Sequence, residues 1–221
     1  ALWIRGILEH DFAVSQYKIH WYMERSEEMS HGGATGFKPP AGISFNRIAP
    51  NKSLASTLLD HELDAAHIAS PWALRANALD RSSRITGGAD WSKIKPLFPD
   101  RMAEAERFQK RHGFLPVNHT YIIRGDIYQK HPWVAFNLYN GFVRAKALAR
   151  EKLVESIPSA LFFGPEYLKR TQDIIGEDPF PYGIKANEAM LETITAYSYE
   201  QGLTPKKKNF KELFTESTLD L

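Results

Sequence analysis

The chain has 221 residues, 43% of them hydrophobic, which is enough to bury a core as one large domain or two small ones. Its 28 basic and 26 acidic residues leave a formal net charge of +2, too balanced to suggest a nucleic-acid partner drawn by field alone. Cysteine is absent, excluding disulfide frameworks, thiolate catalysis and Cys-based metal sites, and no apolar run approaches the roughly 20 residues of a membrane-spanning helix.

Residues 1–10 read as an amphipathic helix, with Leu2, Ile4, Ile7 and Leu8 already periodic and no N-cap before them. With Ala1 in place of an initiator Met, the chain reads as a fragment whose upstream portion is missing. Residues 18–22 form a short predicted strand, 23–40 a Gly-rich loop, and 43–48 a second strand. Ser53 caps a helix carrying Leu54, Leu58 and Leu59, and residues 64–70 return as a small-residue strand. This alternation is that of a wound α/β sheet. Residues 101–111 are charged and helical, closed by Gly113. The apolar run Phe114-Leu-Pro-Val-Asn-His-Thr-Tyr-Ile-Ile123 reads as a strand carrying one imidazole, His119.

His131-Pro132 opens the next helix, with Val134, Leu138 and Phe142 on one face. A further helix is predicted over 159–175, and the loop 176–183 is heavily punctuated by Gly and Pro. Asn187 then caps a helix with Met190, Leu191, Ile194 and Tyr197 facing inward, closed by Gly202. The composition shifts near residue 115 from a loop-rich αβ half to a mostly helical half, which is the predicted domain boundary. The run Lys206-Lys207-Lys208 reads as a solvated loop, and the Gly32–Gly36 stretch lacks the lysine and helix entry of a phosphate loop.

A set of short motifs falls in order along nearly the whole chain. They are Trp3-Ile-Arg-Gly-Ile-Leu-Glu-His10, Trp21-Tyr22 followed by Glu27-Glu28, Leu97-Phe-Pro-Asp100, Leu115-Pro-Val-Asn-His-Thr120, His131-Pro-Trp-Val134, Gly176-Glu-Asp178, Pro181-Tyr-Gly183 and Glu200-Gln-Gly-Leu203. As a set they resemble the 4,5-dihydroxyphthalate decarboxylase family. The resemblance implies an α/β fold of the type II periplasmic-binding-protein kind, two lobes joined by crossover strands around a cleft. In that fold residues 1–115 would form the second lobe, 116–124 the crossover strand or hinge, and 125–221 the helical remainder of an incomplete first lobe. One departure stands out: the family tends to carry an Arg-Pro pair where this chain has Ser70-Pro71, which puts a carboxylate clamp in doubt unless Arg75 replaces it.

The implied reaction is a non-oxidative decarboxylation of 4,5-dihydroxyphthalate to 3,4-dihydroxybenzoate, without a cofactor. Losing carbon dioxide from an arene is slow because the electron pair left behind lies in the ring plane. A hydroxyl para to the leaving carboxylate can push electrons to that carbon, which then accepts a proton before the carboxylate departs. Such a site needs a proton donor, an acceptor for the phenol and cations for the carboxylates. His119 is the candidate acid because imidazole titrates near neutral pH; the alternative is a core histidine bonded to a backbone carbonyl. Arg5 is the candidate carboxylate anchor, against a surface arginine. Glu28, with Glu27 beside it, follows a predicted strand, where open α/β sheets bind ligands, and is the candidate phenol acceptor. Trp21 and Tyr182 are candidates for stacking on the ring, against a packing role.

A different class uses the same fold: an ABC-transporter solute-binding protein for an aromatic or other small carboxylate, with no proton donor needed. The enzyme reading carries a cytoplasmic expectation and the receptor reading a periplasmic one. A pyrimidine-precursor synthase of similar fold carries a cysteine cluster, which this chain lacks. His61, Asp64 and His67 do not meet the zinc-protease helix spacing, so no metal is expected. The expected partner is a small aromatic carboxylate, with neither nucleic acid nor a membrane segment.

Overall fold

A computed structural model describes residues 1–29, 36, 38–67 and 90–221, apart from the side chain of Trp91. The chain divides into two compact units at Pro99/Asp100, with Leu2 grouped with the second. The composition shift places the boundary later, near residue 115.

In the first unit, helix α1 (Leu2–Phe12) buries Trp3 and Gly6, three residues apart and therefore on one side of the helix. It ends at Ala13, a non-glycine residue in the left-handed region at φ 56°. Strands β1 (His20–Met23) and β2 (Ser44–Arg47) pair in parallel, His20 opposite Ser44 through Met23 opposite Arg47. The His20 ring Nδ1 and Ser44 Oγ lie 2.8 Å apart across the first rung, and the ladder continues as the Ile48 N–H donates to the Met23 carbonyl at 3.0 Å. Helix α2 (Leu54–Leu59) starts with a reciprocal cap: Ser53 Oγ accepts from the Ser56 N–H, and Ser56 Oγ from the Ser53 N–H. The Leu54 N–H, a donor with no partner inside so short a helix, is taken by Glu24 Oε2 at 2.8 Å. Its buried side is Ala55 and Thr57, while Leu54, Leu58 and Leu59 are only half-buried. Of the strand predicted over 64–70, residues 64–67 carry no strand and 68–70 lie outside the described residues.

The described residues of the second unit form helices and short 3-10 turns. Helix α3 (Arg101–His112) is capped by Asp100, whose Oδ1 accepts from the N–H groups of Met102 and Ala103 at 3.0 and 2.9 Å, and ends at Gly113, φ 72°. Phe108 is its buried anchor and packs edge-on against Phe114. The predicted strand over 115–123 has no ladder partner among the described residues and runs as an unpaired segment, to which Pro116 contributes no N–H. A helix the periodicity does not signal, α4 (Gly125–Lys130), follows it.

Helix α5 (Trp133–Ala160) begins where predicted, with Pro132 at the N-cap rather than inside the first turn. Its buried residues are Ala135 and Ile157; of the predicted Val134, Leu138 and Phe142 face, Leu138 stays 42% exposed. Phe142 instead stacks on Tyr121 of the unpaired segment, with ring centroids 4.2 Å apart. The helix predicted over 159–175 starts later: residues 159–160 still belong to α5, and the new helix begins at Gly164. Pro158 removes a backbone donor near the end of α5, and Gly164-Pro165 opens α6 (Gly164–Ile175). Helix α7 (Glu188–Glu200) buries Met190, Thr195 and Tyr197; Asn187 stands at its N-cap position without capping it through its side chain.

The corner between α5 and α6 depends on Gly164. A Cβ there would lie 2.5 Å from Ile157 Cγ2 and 3.0 Å from Leu161 Cβ, closer than side chains approach. Gly164→Ala is expected to cost about 2 kcal/mol through overpacking and to lower the melting temperature by ~5 °C. The same change in an Ile157→Ala background is expected to cost less than half as much; equal costs in a double-mutant cycle would contradict this contact.

Candidate functional site

Two groups of cations and aromatic rings stand out, one in each unit. In the first, Arg5 flanks the buried side of α1, and its side chain is half withdrawn from water. Its Nε is fully enclosed and has no hydrogen-bond partner among the described residues. Desolvation holds the guanidinium below its ordinary pKa. The guanidinium carbon lies 5.9 Å from the centroid of the Trp21 ring.

Trp21 cannot also offer its N–H, because that group donates to the Gln16 carbonyl at 3.1 Å and so fixes the indole plane. A cation-π contact at this distance is worth about 0.5 kcal/mol, whereas a hydrogen bond to a charged group contributes roughly 1.5–3 kcal/mol. The ring therefore orients Arg5 without satisfying it. A carboxylate is the group that would, since its two oxygens match the guanidinium fork. Glu27 and Glu28 lie in the exposed turn after β1. Ser70 and Arg75 lie outside the described residues, so the family's clamp position has no structural account.

In the second unit, His119 is exposed within the unpaired segment. Tyr182 is 42% exposed and lies under a cation, with the Lys146 ammonium 4.4 Å from its ring centroid. Lys146 also donates to Asp178 Oδ2 and to the Phe180 carbonyl. Asp178 Oδ1 accepts from the Phe180 N–H at 3.1 Å, closing the turn around which the loop is built. Asn187 Nδ2 donates to the carbonyls of Pro181 and Gly183 at 2.8 and 2.7 Å. Gly183, at φ 98°, comes so close to the backbone of Leu221 that a Cβ would sit 2.8 Å from its carbonyl carbon.

The structure thus brings Arg5 and Trp21 together within the first unit, and Tyr182 together with Lys146 within the second. Sequence reasoning names Tyr182 but misses Lys146 and Asp178, although Gly176-Glu-Asp178 and Pro181-Tyr-Gly183 both lie in the loop they organise. Among the described residues no group of three or more His, Asp or Glu side chains is arranged to hold a metal ion, and no helix is long and apolar enough to cross a membrane.

No protein-family model matches the chain. It is similar to a 4,5-dihydroxyphthalate decarboxylase. That protein, from Comamonas testosteroni, is 24% identical over 221 residues, an alignment that covers 99% of this chain. The chain spans 63% of that relative's length.

If Arg5 is kept for a ligand rather than for the fold, removing its charge relieves an unmet desolvation cost. Arg5→Met, which keeps the aliphatic stem, is expected to leave the melting temperature unchanged or to raise it by up to ~3 °C. A fall larger than that would assign Arg5 a structural role instead.

Proposed function

We propose that this chain belongs to a cofactor-independent decarboxylase that converts a hydroxylated aromatic dicarboxylate, 4,5-dihydroxyphthalate, to 3,4-dihydroxybenzoate. The observation that carries the reading is the 24% identity, along 99% of this chain, to a protein of that name. The half-buried, unsatisfied guanidinium of Arg5 beside the Trp21 ring supports it, because an aromatic dicarboxylate supplies both the anion and the ring that such a pair recognises. The proposed fold is the two-lobed, type II periplasmic-binding-protein-like one, and the parallel β1–β2 ladder is of the kind its lobes contain.

In the proposed mechanism Arg5 holds the carboxylate that is retained. Glu28, or Glu27 beside it, accepts the proton of the hydroxyl para to the leaving carboxylate. The phenolate pushes an electron pair to the ring carbon that bears that carboxylate, and the carbon takes a proton from a general acid, the role for which the family resemblance nominates His119 of the second unit. Carbon dioxide then leaves, its bonding pair returns to the ring, and aromaticity is restored. The phenol recovers its proton from the glutamate, and the acid is reprotonated from water. The net change is one carboxylate and one proton exchanged for one C–H bond and carbon dioxide, with no oxidant or reductant involved.

The test incubates the full gene product with 4,5-dihydroxyphthalate and follows 3,4-dihydroxybenzoate by chromatography. Turnover is expected, and His119→Ala is expected to lower kcat by at least about 100-fold, the usual worth of a general acid, with binding within a few-fold of wild type. Calorimetric binding with no product would instead make the protein a receptor for the diacid. Turnover unchanged in His119→Ala would remove the role given to that imidazole.

A further inference from the structure

The second unit holds a cavity of 320 Å³ that the proposed reaction does not use. One wall is a single stripe of α5: Tyr139, Val143, Lys146, Ala147 and Arg150 recur at intervals of three and four residues and so share one helix face. The other wall is the braced loop, with Asp178, Pro181 and Tyr182 turned toward the stripe. Two phenol rings and three aliphatic side chains make a space suited to a flat, apolar ring, and its volume lies at the lower end of small-ligand sites.

The two cations at this cavity differ in how they are held. Lys146 is 26% exposed, and its ammonium is committed to Asp178, to the Phe180 carbonyl and to the Tyr182 ring, so it works as a strut of the loop. Arg150 pairs with Glu177, whose side chain is 76% exposed. An ion pair with so solvated a partner contributes little net stability, and a second carboxylate can replace it at small cost. Glu177 would not be left stranded, because Gln172 Nε2 already donates to its Oε2 at 3.0 Å and water reaches the rest.

We propose that this cavity is a binding site for a small aromatic monocarboxylate, with its ring between Tyr139 and Tyr182 and its carboxylate on Arg150 in place of Glu177. One exchangeable cation calls for one carboxylate, and the two phenol rings call for an aromatic body beside it. The site lies entirely within the second unit and does not depend on Arg5, on His119 or on the protein being a decarboxylase.

Benzoate is the probe, titrated calorimetrically into the full gene product and into variants. Saturable binding is expected, weakened at least about tenfold in Arg150→Met and in Tyr182→Leu, since each removes one of the two recognition elements. Glu177→Gln is the decisive variant. Its side chain is exposed, so the fold should persist, and removing the competing carboxylate should tighten benzoate binding by roughly three- to tenfold. Cyclohexanecarboxylate, which keeps the charge and loses the flat ring, should bind at least about fivefold more weakly. No saturable benzoate binding, or binding that Glu177→Gln leaves unchanged, would overturn the site. Binding lost in Arg5→Gln but retained in Arg150→Met would move benzoate to the first unit and equally overturn it.

Discussion

A guanidinium half withdrawn from water, with an indole beside it and no hydrogen-bond partner on its Nε among the described residues, carries a desolvation cost that they do not offset. Arg5 has that character, and the functional reading of the first unit grows from it. The structure fixes the indole through its N–H bond to the Gln16 carbonyl, so the ring face is held in place while the Arg5 Nε beside it has no partner among the described residues. Proteins seldom retain such an imbalance for stability, because an apolar side chain of similar length would fill the same space at lower desolvation cost. The charge is better explained by what it can bind.

The second unit solves the opposite problem. Its loop of 176–183 contains two glycines and two prolines that alone would leave it loose, and it is braced by polar groups on neighbouring helices: Lys146 on Asp178 and Phe180, and Asn187 on two carbonyls. A long helix supplies the fixed edge. Because the brace runs along one face of α5, the same residues that hold the loop also shape a cavity against it. Structural support and a place for a ligand thus come from one stripe of side chains, and the exposure of Glu177 separates the exchangeable part of the brace from the permanent part.

Much of this architecture was legible in local chemistry. Helices α1, α2, α3 and α7 and strands β1 and β2 fall close to where their periodicity places them, Ser53 caps the start of α2 through its hydroxyl, and Gly113 closes α3 because it tolerates a positive φ. The failures have physical causes. An apolar run such as 114–123 looks like a strand whether or not a neighbour exists to pair with it, and pairing is a non-local fact. The start of α6 lies at Gly164 rather than at 159, because Gly164-Pro165 opens it while residues 159–160 continue α5 past Pro158. Of the site, the residue types at Arg5, Trp21 and Tyr182 were readable. The pairing of Lys146 with Asp178, 32 residues apart, was not, because nothing in either segment alone reports the other. A stripe at 139, 143, 146 and 150 was available in the sequence beside that of Val134, Leu138 and Phe142, but nothing in α5 alone reports the loop that faces it.

The central claim is that Arg5 is held for a carboxylate carried on an aromatic ring. Its most direct test is calorimetric titration of 4,5-dihydroxyphthalate into the full gene product and into Arg5→Lys, which keeps the charge and loses the bidentate fork. Affinity at least about tenfold weaker in the lysine variant is the expected result. Equal affinity in the two proteins would mean that the unsatisfied guanidinium is not the anchor, and the functional reading of the first unit would lose its basis.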